Sequence, residues 1–317
     1  MRILVTGGSG FIGSHLVHRL LSDGDEVSVM TRYNAVVKNE RLADVWGDIQ
    51  VVEADLRNLE SLCSVMADAK PEAIFHLAAY NHVGQSFTHY QECFDVNAKG
   101  TANLLHASKS SHPVFVYMST SEVYGYQEEC PFHERFAPEP ISPYAITKYA
   151  GELYCRMKQL METADVRIVR CFNTYGPWQS EKAIIPDIIG KCLRGEEIRC
   201  TEGKQTREFN FVDDIVDGLV LALMAKPFDG PVNIGCGVET PIRSLVEKIA
   251  ELTGAADQLK IGAIGYRPTE IWRMAADVSL AKNLFDYAPS VSLDEGMKRT
   301  VEWFRERHEN SRLDARA

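Results

Sequence analysis

Tyr144 and Lys148 stand four residues apart in the run Ser142-Pro143-Tyr144-Ala145-Ile146-Thr147-Lys148. Ser142 suits a helix N-cap and Pro143 the first turn after it. A spacing of four then stacks the phenol and the ammonium on one helix face. An ammonium beside a phenol stabilises the phenolate, lowers its pKa towards neutrality and makes tyrosine a usable general base. In a separate segment, Thr120-Ser121-Glu122 adds two hydroxyls and a carboxylate. Two proton-handling groups, Tyr144 and Glu122, point to chemistry that moves more than one proton. Thr120 is suited to hydrogen-bond an oxygen on which charge develops. The plainer alternatives are a solvated or helix-capping Glu122, and ordinary strand-end hydroxyls at Thr120 and Ser121.

These groups need a scaffold, and the chain supplies one. Strand-like runs at 3–5, 27–30, 50–53, 73–77 and 114–119 alternate with helical segments. That rhythm predicts an α/β fold built on a doubly wound parallel sheet of Rossmann type. A strand at 167–171 follows the helix of Tyr144 and Lys148. Residues 174–206 leave the pattern, 211–226 read as helix and 231–235 as a strand. The stretches 240–254 and 279–310 are mainly helical, and 311–317 reads as a frayed tail. His76, inside an apolar strand, reads as a satisfied core histidine. Tyr124 either touches a ligand or packs.

A second chemical signal opens the chain. The strand Arg2–Val5 runs into Thr6-Gly7-Gly8-Ser9-Gly10-Phe11-Ile12-Gly13 and then a helix. Gly7 and Gly10 allow a tight turn and close backbone approach to a pyrophosphate. Gly13 allows close helix–strand packing, and the helix N-terminus offers free N–H donors. A dinucleotide cofactor is therefore expected. An acidic residue ending the second strand would mark NAD, but the chain has Met30-Thr31-Arg32. Arginine there removes repulsion against a 2′-phosphate and donates to it, which favours NADP over NAD. The alternative is a solvated Arg32 with NAD held by other contacts.

Composition bounds the partners. The 317 residues suffice for a large α/β domain plus a smaller lobe. A net charge of −10 argues against nucleic acid or an anionic membrane as partner. No apolar run reaches transmembrane length, and the first residues already form a strand, so no signal peptide is expected. The eight cysteines lack metal-ligand spacing. They read as free thiols of a cytoplasmic protein with no metal.

Further runs carry a resemblance. They are Ala54-Asp55-Leu56, His76-Leu77-Ala78-Ala79, Asn97-Ala98-Lys99-Gly100-Thr101, Arg170–Pro177 and Thr206-Arg207-Glu208-Phe209. With the glycine turn and Tyr144/Lys148, the chain resembles the extended short-chain dehydrogenase/reductases that modify nucleotide sugars. The resemblance spans nearly its whole length. It implies an interleaved second lobe: residues 1–172 with 207–238 as the dinucleotide-binding domain, and 173–206 with 239–317 as a smaller, mostly helical substrate-binding lobe. It implies cofactor contacts from Asp55, Leu56, Leu77, Ala78, Ala79, Tyr144 and Lys148, with Asp55 equally readable as a strand-end cap. Asn173, Arg207 and Arg267 fall on positions that hold a diphosphate. Ile184, Ile185 and Pro186 resemble an apolar wall over the nucleotide base, whereas Trp178 matches nothing expected. Asn97 reads as structural. A homodimer is implied through helices around 94–110 and 144–162.

The retained Glu122 resembles the nucleotide-sugar 4,6-dehydratases more than the 4-epimerases. Ser121 stands where many dehydratases carry aspartate, but GDP-mannose 4,6-dehydratases and UDP-glucuronate decarboxylases carry serine there. The resemblance thus implies dehydration of a nucleotide-diphosphate sugar, with epimerisation or decarboxylation as the alternatives. A regulatory dinucleotide-binding protein without turnover would be free to lose Tyr144, Lys148 or Glu122, and this chain keeps all three.

Overall fold

A computed structural model describes residues 1–32, 40–266 and 270–314. Its centre is a seven-stranded, all-parallel sheet. Six strands are β1 (Arg2–Thr6), β2 (Glu26–Thr31), β3 (Gln50–Glu53), β4 (Ala73–His76), β5 (Val114–Thr120) and β6 (Val166–Cys171). The seventh, Pro231–Ile234, pairs with β6, and the spatial order is Pro231–Ile234, β6, β5, β4, β1, β2, β3. The order reverses between β1 and β4, which opens a crevice at their carboxyl ends, where ligands bind in such sheets. Every residue of β4 and β6 is buried, as expected of strands covered on both faces.

The strand readings hold to within a residue or two at each end. The expected 240–254 segment divides into a short strand, Thr240–Pro241, and a helix, Ile242–Thr253. The 279–310 segment divides into helices Ser279–Phe285 and Leu293–Asp314. Asp286, at φ 59°, ends the first of them in the left-handed region. The final helix runs on to Asp314, beyond the expected fraying point.

One core joins a face of the sheet to α1 (Phe11–Ser22), the Val212–Met224 helix and the helices Ile184–Arg194 and Ile242–Thr253. A second fills the other face, beneath Leu62, Met66 and Leu104. All seven strands of the central sheet lie within 1–172 and 207–238. His76 is buried, with Nδ1 2.7 Å from Thr6 Oγ1 and Nε2 3.0 Å from Thr101 Oγ1; burial lowers its pKa to about 3. It is the satisfied core histidine the sequence suggests. Tyr124 is likewise fully buried against Phe132 and Phe172. Among the described residues, no helix is long and apolar enough to cross a membrane.

Candidate active site

β5 ends at Thr120, and Ser121–Tyr124 form a single 3₁₀ turn. Thr120 starts that turn by accepting the Glu122 N–H at 3.3 Å. Facing it is the helix Pro143–Leu160, which begins as expected. Ser142 Oγ accepts the Ala145 N–H at 3.1 Å, a cap of about 1 kcal/mol, and Pro143 occupies the first turn. Tyr144 N donates to Ser86 Oγ at 3.2 Å, tying the helix start to the short helix Val83–Ser86 that follows β4. The Asn97 side chain reinforces that link. It accepts from Tyr80 N at 2.7 Å and donates to Thr147 Oγ1 at 3.1 Å. Asn97 lies in a π-helical turn, Asp95–Lys99, that interrupts the Tyr90–Ala107 helical run, a distortion common near functional sites.

The two signature groups behave differently from the sequence expectation. Lys148 is buried and donates to Met118 O at 2.6 Å, with Nζ 4.3 Å from the Tyr117 ring centroid. Burial lowers it to about 8 against the opposing pull of Cys155 and Glu152. Tyr144 is raised above the usual phenol range rather than lowered. Burial dominates, the Thr120 hydrogen bond works against it, and the negative charge of Glu122 adds to it. The net shift is upward because burial of the phenol outweighs the lowering expected from a nearby ammonium. Glu122, half-buried, is raised above the usual carboxylate range by burial, with Arg207 pulling the other way. Thr120 and Glu122 thus bear on Tyr144, and Arg207 on Glu122. Ser121 is buried beside them.

The glycine turn fits a dinucleotide. Gly7 has φ 75°, and a Cβ there would lie 2.7 Å from Ala78 N. A Cβ on Gly13 would lie 2.1 Å from Gly7 O, so only glycine lets α1 pack this closely. The first turn of α1 carries no acidic residue, leaving its N-terminus open to an anion. In front lies a cleft of about 330 Å³, lined among others by Gly7, Gly10, Arg32, Asp55, Leu56 and Leu77–Ala79. Phe11 and Ile12 instead pack against the core. Asp55 is held below the usual carboxylate range by the Arg57 guanidinium 2.6 Å away, with Arg32 contributing. Its carboxylate also accepts the Arg57 N–H at 2.9 Å, the strand-end cap that the sequence allowed.

A second cavity, of about 500 Å³, lies between the sheet edge and the helices Ile184–Arg194 and Ile242–Thr253. Asn173, Ile184, Ile185 and Arg207 line it as the resemblance implies, and so do Ile188, Phe209, Val246 and Glu270. Pro186 faces the other side of its helix, a recess of about 210 Å³ with Arg194. Arg207 donates to Ile271 O at 2.6 Å and to Thr206 O at 2.8 Å, and pairs with Glu270 at 3.1 Å. Arg267 lies outside the described residues.

Three groups escaped the sequence reading. Glu270 orients Arg207, and only its closeness to Arg267 in the chain hinted at a role. Glu152 and Arg170 form a buried pair behind the site, detectable as the next four-residue step after Tyr144 and Lys148. Trp178 is explained by packing. Its ring sits 4.8 Å from Trp303 and 4.9 Å from the Arg307 guanidinium. Its carbonyl accepts from Arg41, which also donates to Ser9 O in the glycine turn.

The comparisons agree with this geometry. Residues 3–235 match the model of the "NAD dependent epimerase/dehydratase family". The UDP-glucose 4-epimerase of Mycolicibacterium smegmatis is 35% identical, over 96% of this chain and 99% of its own. The UDP-N-acetyl-alpha-D-glucosaminuronate decarboxylase of Bacillus cytotoxicus is 31% identical, over 96% and 98%. The structure of the dTDP-glucose 4,6-dehydratase of Streptomyces venezuelae with NAD bound superposes with a TM-score of 0.89 at 32% identity, covering 98% of each chain. The chain therefore belongs to the NAD-dependent epimerase/dehydratase family, an extended branch of the short-chain dehydrogenase/reductases whose members act on nucleotide sugars.

Proposed function

We propose that this enzyme is a nucleotide-sugar 4,6-dehydratase. The observation that carries the reading is the placement of Glu122 on the 3₁₀ turn after Thr120, packed against the start of the Tyr144 helix, where burial raises its carboxyl group and its charge bears on Tyr144. Relatives at similar identity are named for three reactions, and all three begin with oxidation at C4. Only dehydration then needs a second group that removes the C5 proton and protonates the departing C6 oxygen. A buried carboxyl titrating above its usual range suits both tasks.

A bound nicotinamide supplies the hydride acceptor and donor, together with a positive charge when oxidised. Tyr144 takes the C4 hydroxyl proton, and Thr120 hydrogen-bonds the same oxygen as charge develops. Lys148 contributes a fixed positive field beneath the phenol. Glu122 abstracts the C5 proton, made acidic by the C4 ketone, and delivers a proton to the leaving water. Ser121, with no carboxyl group, leaves both transfers to Glu122. Arg207 and Asn173 hold the diphosphate, and Ile184 and Ile185 cover the base.

Decarboxylation is favoured by one observation, the cation Arg207 beside Glu122. That guanidinium is already committed to Glu270 and two carbonyls, which weighs against its turning to a C6 carboxylate. For the cofactor, Arg32 in the cleft and the pairing of Asp55 with Arg57 support NADP, while the Streptomyces neighbour carries NAD. A homodimer is supported by an exposed apolar stripe. It comprises Ile146, Leu153, Met157 and Leu160 on the Pro143–Leu160 helix, beside Phe87, Tyr90 and Phe94, a patch that asks for a partner.

Replacing Glu122 by Gln tests the reading. In a single turnover the variant should still oxidise C4, seen as reduced nicotinamide absorbance, and lose dehydrated product by about 10²-fold or more. Dehydrated product at the wild-type rate would overturn it.

A further inference from the structure

Behind the catalytic groups lies a charged pair that no step above uses. Glu152, Arg170 and Ser119 are each at most 3% exposed. Glu152 receives Arg170 Nε at 3.0 Å and Nη2 at 2.7 Å, a bidentate pair, and its Oε1 also accepts the Ser119 hydroxyl. The guanidinium lies 4.6 Å from the Tyr124 ring centroid, and the Tyr124 hydroxyl donates to Asn233 Oδ1 at 2.7 Å on the edge strand. Burying two charges costs several kcal/mol each before they attract one another. An apolar pair would fill this space more cheaply, so the pair calls for an explanation beyond stability.

Its position supplies one. Tyr144, Lys148 and Glu152 occupy successive turns of one helix face. Ser119 and Arg170 are register partners on β5 and β6, immediately before Thr120 and Cys171. Three consecutive residues of β5 are thereby tied to this helix: the Tyr117 hydroxyl donates to Lys148 O at 3.0 Å, Met118 O accepts Lys148 Nζ, and Ser119 donates to Glu152. The next residue is Thr120. The gap between the Tyr144 face and the Thr120–Glu122 corner is therefore set by the last of these ties.

We propose that Glu152, held by Arg170, is a positioning residue: it fixes Ser119, and through it Thr120 and Glu122, at working distance from Tyr144 and Lys148. The carboxylate also acts electrostatically. Lys148 is faced by Glu152 and Cys155 from its own helix, Cys171 from β6, Cys93 from the Tyr90–Phe94 helix, Tyr117 from β5 and His76 from β4. Of these groups Glu152 supplies the negative charge, and Arg170 is the cation it offsets. Losing the carboxylate removes the support that keeps Lys148 protonated.

The inference rests on the reading of Tyr144 and Lys148 as the C4-oxidising pair, and two variants test it. Glu152→Gln removes the charge and keeps the shape. Glu152→Gln with Arg170→Met removes both charges, leaves no unpaired ion, and carries the test should the single variant fail to fold. In each folded variant kcat should fall by about 100-fold, the scale of a small misplacement, with KM and dinucleotide affinity nearly unchanged. In Glu152→Gln, which leaves the Arg170 charge uncompensated, the alkaline limb of the pH–rate profile should also move to lower pH by about half a unit or more. A folded double variant with wild-type kcat would overturn the proposal and leave the pair a replaceable brace. A wild-type enzyme that oxidises no nucleotide sugar would instead sink the functional reading on which it rests.

Discussion

The proposed catalytic corner and the proposed nucleotide cavity are built in opposite ways. Thr120, Glu122, Tyr144 and Lys148 come from one strand end and one helix, and their anchors are backbone groups and buried hydroxyls: Met118 O for Lys148, Ser86 for Tyr144 N, Thr120 for Glu122 N. The cavity draws on residues near 173, 184–191, 198–209, 242–246 and 264–270. Its key cation, Arg207, is aimed by a carboxylate 63 positions along the chain. The difference separates tasks. Proton transfer needs fixed donors in a dry site, whereas recognition of a base and diphosphate tolerates a wall assembled from distant parts.

If that division is right, damage to the two regions should differ in kind. The largest effect belongs to Tyr144→Phe, which removes the group proposed to take the C4 hydroxyl proton. Steady-state assays should show kcat reduced by about 10³-fold or more with binding of the nucleotide diphosphate intact, and near-normal turnover would break the comparison at its root. Arg207→Ala should act on the other side. KM for the nucleotide sugar should rise by about 10- to 100-fold, the cost of losing a charge-assisted contact. A pure kcat effect would mean that Arg207 serves the chemistry beside Glu122 rather than the diphosphate.

The smallest effect sharpens the boundary between the regions. Glu208 follows Arg207, is fully buried, and accepts Ala276 N at 2.7 Å, Asn210 Nδ2 at 2.9 Å and Gly237 N at 3.1 Å. Burial raises it from 4.5 to about 7 against those hydrogen bonds. A carboxyl raised in the folded state binds more protons folded than unfolded. Its contribution is fully present below pH 4.5 and is lost as pH rises to about 7. Wild-type Tm should therefore carry a downward component across that window, and Glu208→Gln should flatten it by a few degrees. An identical slope in the variant would assign the pH dependence elsewhere.

The same contrast governs what could be read from the chain. Tyr144 and Lys148 were legible because cap, spacing and chemistry lie within seven residues. The glycine turn was legible because its spacing between a strand and a helix is itself a local pattern. Arg207 could be placed, but its partner Glu270 could not, since no periodicity links them. Trp178 was opaque for the same reason: its stacking partner Trp303 lies on the final helix. The direction of the Tyr144 shift was not legible because the sequence shows the spacing of Lys148 but not the burial that raises the phenol. Local rules reached the side chains proposed to do chemistry and stopped at those set by tertiary contact.

The most direct test of the central claim is mass spectrometry of products formed in deuterated water from a panel of GDP-, UDP-, dTDP- and CDP-hexoses. Dehydration through Glu122 predicts a product lighter by one water that carries solvent deuterium at C5. A product of unchanged mass and inverted C4, or one lighter by carbon dioxide from a hexuronate added to the panel, would contradict it.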